Sequence, residues 1–151
     1  MSAVVGKAEL MDSVGDSGIG GTFAGNPVAC RAALEVLKII EEERLLARAA
    51  ELGEQILARF RKLQERFALI GDVRGVGAMV AMELVKDRRT KEPAPEETDA
   101  IIQEALRGGA IFAKAGLYGN VIRMLLPLVI TDEQLEEGLD ILERAIATVT
   151  G

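Results

Sequence analysis

The chain has 151 residues, of which 49% are hydrophobic and 28% charged, the balance of an ordered globular domain long enough to bury a core. Its 18 Lys and Arg stand against 24 Asp and Glu, and a net charge of -6 argues against a surface built for phosphate backbones and so against nucleic acid as a partner. Histidine is absent and Cys30 is the single cysteine, which excludes Cys/His zinc sites, an imidazole-based triad and an internal disulfide.

The first residues, Met1 to Lys7, lack a basic region followed by a long apolar stretch, and no run approaches the roughly 18 apolar residues of a membrane span. A soluble, cytoplasmic protein with no membrane partner is expected. Ala3–Val5 reads as a short strand and Lys7–Val14 as a short helix. The stretch from Asp16 to Gly25 is loop. Asn26 is a favoured N-cap and Pro27 suits the first helical position, so a helix is predicted to start there. Its apolar positions Ala29, Ala32, Ala33, Val36, Leu37 and Ile40 recur three and four apart, a face expected to enter a core, and Cys30 should act as a small buried hydrophobe. After Glu41-Glu42-Glu43 a second helix carries the stripe Leu45, Ala49, Leu52, Ile56, Phe60, Leu63 and Phe67.

Gly71, Gly75 and Gly77 then punctuate the chain, and the alternation of Ala78, Val80, Met82 and Leu84 predicts a strand after them. Lys86 to Pro95, charged and aperiodic, reads as an exposed loop. Glu96–Arg107 is a third helix with Ile101, Ile102, Ala105 and Leu106 inward, closed by Gly108-Gly109. Short strands are expected at Ala110–Ala113 and Val121–Leu126, with a turn at Gly116–Asn120 between them and Pro127 as the stop. Thr131 with Gln134 forms a capping box, opening a last helix with the stripe Leu135, Leu139, Leu142, Ile146 and Val149. The order predicts an α+β fold, with helices packed on one face of a small, largely antiparallel sheet.

Two places carry chemistry. Gly20-Gly21-Thr22-Phe23-Ala24-Gly25-Asn26-Pro27 is either a Gly-rich turn that caps a helix or an anion site, formed by first-turn N–H groups, the helix dipole and the Thr22 hydroxyl. It matches neither a Walker pattern nor a Gly-x-Gly-x-x-Gly fingerprint after a strand, so a nucleotide site is the weaker alternative. Arg123 is the anomaly of an apolar strand. It either pairs across the sheet with Glu83 or faces solvent, or else it sits in a pocket that requires an anion.

Together the Gly20–Pro27 run and Tyr118-Gly119-Asn120-Val121-Ile122-Arg123, with Gly71-Asp72-Val73-Arg74-Gly75-Val76-Gly77-Ala78-Met79 between them, resemble the C-terminal part of class III pyridoxal-phosphate-dependent aminotransferases. The resemblance runs from about Ser2 to Ala147, and the Tyr-Gly-Asn-Val-Ile-Arg run leans toward the 4-aminobutyrate branch. It implies the small C-terminal domain of the fold-type I fold over residues 26–151, preceded by a segment of the large domain over 1–25. It further implies that Thr22, with Gly20 and Gly21, contacts the phosphate of pyridoxal 5'-phosphate in the neighbouring subunit of a homodimer. Arg123 would bind the carboxylate of an amino or oxo acid. Arg74 would be a structural ion-pair or loop-fixing residue, and Tyr118 would pack against or border the site.

The family's cofactor-carrying lysine lies upstream of its segment resembling Ser2–Lys7. Lys7 and Lys114 do not match that lysine's context, so no catalytic residue is assigned. The chain by itself is expected to be inactive and to bind the cofactor weakly or not at all. The alternative is a non-catalytic oligomerisation or partner-binding domain.

Overall fold

The computed structural model describes every residue except Met1, Asp16, Ser17 and Ile19, so part of the expected Asp16–Gly25 loop lies outside the described residues. The chain forms two compact units, Met1–Leu45 and Leu46–Gly151.

The first unit holds a one-turn helix, α1 (Ala8–Met11), and a long one, α2 (Pro27–Glu42). Ala3–Val5 is exposed and forms no strand. Asn26 caps α2, its side-chain oxygen accepting from the N–H groups of Val28 at 3.0 Å and Ala29 at 3.1 Å, with Pro27 at the first position as its missing N–H predicts. The stripe expected to enter a core does not: no described residue of Met1–Leu45 is buried, and Ala32, Val36 and Leu37 are exposed while Ala29, Ala33 and Ile40 are half-buried. Periodicity shows that a helix has an apolar face, not what covers it. Cys30 is half-buried rather than buried.

All of α3 (Leu45–Arg66) but its first residue belongs to the second unit, and its Leu52, Ile56, Phe60 and Leu63 are fully buried at the predicted spacing. Two strands follow where one was predicted: β1 (Ile70–Val76) and β2 (Met79–Asp87) pair as an antiparallel hairpin. The glycines of β1 do not break it. They permit close packing: a Cβ on Gly75 would stand 2.7 Å from the Met79 carbonyl oxygen and 2.8 Å from the Val80 Cα. Only Gly77 serves the turn itself, at φ +53.

The stretch read as loop contains the end of β2 and a two-residue strand, β3 (Glu92–Pro93), paired with β2. Arg88 folds back to donate to the carbonyls of Gln64, Phe67 and Ala68, closing the C-terminal end of α3. Helix α4 (Pro95–Arg107) buries Thr98, Ile101 and Ala105, but Leu106, expected inward, is exposed in its last turn. Strand β4 (Ala113–Ala115) lies later than predicted. Strand β5 (Val121–Arg123) is shorter than predicted, because only the Met124 N–H, at 2.8 Å from the Val80 carbonyl, carries the ladder further. Helix α5 (Asp132–Thr150) starts at the predicted capping box.

The sheet runs β1-β2-β5-β4, all antiparallel, with β3 on β2. Val80, Met82, Leu84, Ile122 and Met124 pack with residues of α3, α4 and α5 into one core. The α+β expectation is therefore met. By strand alternation the opposite face carries Asp72 and Arg74, then Met79, Ala81 and Glu83, then Val121 and Arg123, then Ala113 and Ala115. Among the described residues no helix is long and apolar enough to cross a membrane.

Candidate functional site

Thr22, Gly20 and Gly21 belong to the first unit and Arg123 to the second, so each is described within its own unit. Gly20–Pro27 is exposed throughout, with Phe23 87% accessible. The loop folds on itself through Ala24 N–H to the Gly21 carbonyl at 2.9 Å and Asn26 N–H to the Phe23 carbonyl at 3.3 Å, with Gly25 at φ +70 just before the cap.

The first-turn N–H groups expected to face an anion are already occupied: Val28 and Ala29 donate to the Asn26 side chain, and Cys30 N–H to the Asn26 carbonyl at 2.9 Å. Among the donors that bond no other described residue are the N–H groups of Thr22 and Phe23 and the Thr22 hydroxyl. A phosphate oxygen finds donors here on one side only, because nothing in the exposed loop encloses it.

Arg123 ends β5 on the sheet face opposite the core helices. In register it stands between Ala81 on β2 and Ala113 on β4, whose methyl groups offer its guanidinium no polar partner. The pair with Glu83, one of the alternatives the sequence left open, is not formed: Glu83 accepts from Arg74 at 2.8 Å, and Asp72 bonds the same guanidinium nitrogen. These hydrogen bonds, first to Asp72 and then to Glu83, hold Arg74 above its ordinary pKa. No described carboxylate pairs with Arg123, and its Nε is buried without a hydrogen-bond partner among the described residues. Beside it lies a recess of about 220 Å³ lined by Ala78, Met79, Met124, Leu125 and Leu126. An arginine that lines an otherwise apolar recess and has no carboxylate partner favours an anion, and a carboxylate matches the geometry of its guanidinium.

Sequence reasoning missed Asn120. It is 2% exposed and anchors β5 by donating its side-chain amide to the Leu84 carbonyl at 2.8 Å. The one trace in the sequence is a polar residue abutting the β-branched run. Tyr118 is 64% exposed in the turn before it. Lys7 is exposed before α1, and Lys114 pairs with Asp99 at 2.6 Å.

The aminotransferase class-III family model matches residues 1–146. The chain is 50% identical over 142 residues to the 5-aminovalerate aminotransferase DavT of Pseudomonas aeruginosa, covering 94% of this chain and 33% of that protein. It is 45% identical over 144 residues to the 4-aminobutyrate aminotransferase GabT of Escherichia coli, covering 95% and 34% respectively. It is also 52% identical over 149 residues to a leucine/methionine racemase of Thermococcus litoralis, covering 99% and 33%. Among solved structures, a Bacillus anthracis aminotransferase superposes with a TM-score of 0.83 at 32% identity, over 94% of this chain and 34% of that one. The chain thus spans about a third of the length of the relatives it matches. With its match across residues 1–146 and its small antiparallel sheet backed by helices, the chain belongs to the class III aminotransferase family.

Proposed function

We propose that these residues supply the carboxylate anchor and one phosphate contact of a pyridoxal-phosphate-dependent transaminase. That enzyme would move an amino group between 4-aminobutyrate, or its near homologue 5-aminovalerate, and 2-oxoglutarate. The observation that carries the reading is Arg123, without a carboxylate partner among the described residues, lining an otherwise apolar recess. A substrate carboxylate accepting from the two terminal guanidinium nitrogens, which unlike Nε are not buried, is fixed in two directions, which orients the rest of the molecule. The apolar walls exclude water from that pair and strengthen it.

Thr22 fits a phosphate held mainly elsewhere: its hydroxyl and the Thr22 and Phe23 N–H groups give donors on one side, and Gly20 and Gly21 keep that side open. When bound, the cofactor supplies the electron sink that makes amino-group exchange possible. All six lysines are exposed, so none sits in the desolvated pocket that a nucleophilic amine uses. The reaction's lysine is therefore proposed to lie beyond these 151 residues, with the working enzyme a cytoplasmic homodimer.

The exposed apolar positions of α2, Val28, Leu34, Val36 and Leu37, favour a second role in oligomerisation.

The test mixes the 151-residue chain with pyridoxal phosphate, 4-aminobutyrate and 2-oxoglutarate. No glutamate should form, and borohydride should leave no adduct on Lys7 or Lys114. In parallel, 2-oxoglutarate should shift the Arg123 Nε–H resonance, whereas an alkylamine should not. Turnover by the chain alone, or an Arg123 resonance indifferent to carboxylates, overturns the reading.

A further inference from the structure

Glu83 stands between two arginines. On one side its register partner is Asp72, two residues from Arg74; on the other it is Val121, two residues from Arg123. All five side chains share one sheet face, so both guanidinium groups are diagonal neighbours of the Glu83 carboxylate, about 7–8 Å away at Cα and within reach of long side chains. The choice between them is settled in the structure. Glu83 bonds to Arg74, Asp72 holds Arg74 from its own strand, and Arg123 is left without a carboxylate among the described residues.

We infer that Arg74 is a positioning residue: by holding Glu83 it keeps that carboxylate off Arg123 and so leaves Arg123 open to the carboxylate of a substrate. The inference rests on the reading of Arg123 as the substrate anchor. Its physical basis is competition. A carboxylate tethered one strand away meets Arg123 at a high effective concentration, and a free acid would have to displace it. The row Arg74, Ala81, Arg123 across three strands serves the same end, since Ala81 has no polar group to bond either arginine.

The probe is sodium butyrate, whose single carboxylate cannot use Arg74 as a second anchor. It is titrated into the chain at constant ionic strength while the Arg123 Nε–H resonance is followed. The parent chain should give a saturable shift. Arg74→Ala should weaken the apparent Kd by about fivefold, the scale of a modest ion pair. Glu83→Gln should not weaken binding, because that carboxylate is already held away. The double variant Arg74→Ala/Glu83→Gln should return to within about twofold of the parent chain. Should Arg74→Ala fail to fold, Arg74→Met, which keeps the stem over the sheet, takes its place in both backgrounds.

Unchanged binding in the Arg74 variant overturns the inference, as does equal weakening with and without Glu83, which would make the role of Arg74 structural. If butyrate and 2-oxoglutarate both leave the parent Arg123 resonance unmoved, the anchor reading itself fails and this inference falls with it.

Discussion

Asn120 and Leu84 hold each other at both ends: the Asn120 amide donates to the Leu84 carbonyl at 2.8 Å, and the Leu84 N–H donates to the Asn120 carbonyl at 2.7 Å. This lock sits at the entry to β5, three residues before Arg123, and fixes the register that places the guanidinium between Ala81 and Ala113. Replacing Asn120 by alanine leaves one of the groups on the Leu84 carbonyl missing in a buried site. The Leu84 carbonyl keeps the Ala94 N–H at 3.2 Å, so Asn120→Ala should destabilise the domain by about 1 kcal/mol in urea unfolding. It should also broaden the Arg123 Nε–H resonance as the short strand loosens. An unchanged midpoint and a sharp resonance would show that the backbone ladder alone sets β5.

The hairpin turn that lines the Arg123 recess is placed by a helix. Gly53 of α3 lies so close to Gly77 that a Cβ on it would run into the Gly77 carbonyl. That neighbour is backbone, held in the β1–β2 turn, and has little room to give. Gly53→Ala should therefore cost about 1–3 kcal/mol despite the better helix propensity of alanine. It should also disturb the amide signals of Gly77, Ala78 and Met79 more than those of α5. A stabilised variant would mean the helix and hairpin can separate freely.

Local chemistry made some of this legible in the sequence. The Asn26 and Thr131 caps and the stripes of α3 and α5 are set by residues within a turn or two of one another, and the structure reproduces them. Strand β1 was hidden because its glycines resemble turn punctuation, whereas they serve contacts with a neighbouring strand that sequence spacing does not show. The exposure of α2 was hidden for the same reason: an apolar face indicates that something covers it, not what. At the site, Arg123 stood out as a charge in an apolar strand. Its freedom from Glu83 depends on register, in which Arg74 and Arg123 are equivalent diagonal neighbours and Asp72 favours one of them.

The Thr131 capping box has both of its bonds, Gln134 N–H to the Thr131 hydroxyl and Thr131 N–H to the Gln134 side chain, each 3.2 Å. Its helix carries Leu135, Leu139, Leu142 and Ile146 into the core, so fraying at the start propagates into packing. Thr131→Ala should lower stability by about 1 kcal/mol, and Thr131→Ser by less, because the serine hydroxyl can accept the same bond. Equal losses for the two would assign the effect to the threonine methyl instead.

Helices α3 and α5 are joined along their outer edge by charge. Arg59 reaches Glu136 at 3.2 Å, Asp140 at 2.5 Å and Glu143 at 2.6 Å, and Arg66 also bonds Glu143. The hydrogen bond from Arg66, then that from Arg59, holds the Glu143 carboxyl below its ordinary pKa, outweighing the opposing effect of burial. Partial burial pulls Arg59 down, but its bonds to Asp140 and Glu143 outweigh that and leave it raised, far above any accessible pH. The acidic limb is therefore the one that shows. With the folded pKa of Glu143 depressed, its contribution is complete above the ordinary glutamate value of about 4.3 and is lost as pH falls through the lower folded value. Urea midpoints should drop on acidification more steeply for the parent chain than for Glu143→Gln, and the two curves should converge at the acid end. At neutral pH the variant should be less stable by about 1 kcal/mol or less, a gap that added salt narrows. Parallel pH profiles would show that the cluster is solvated in both states and that apolar packing alone holds α3 against α5.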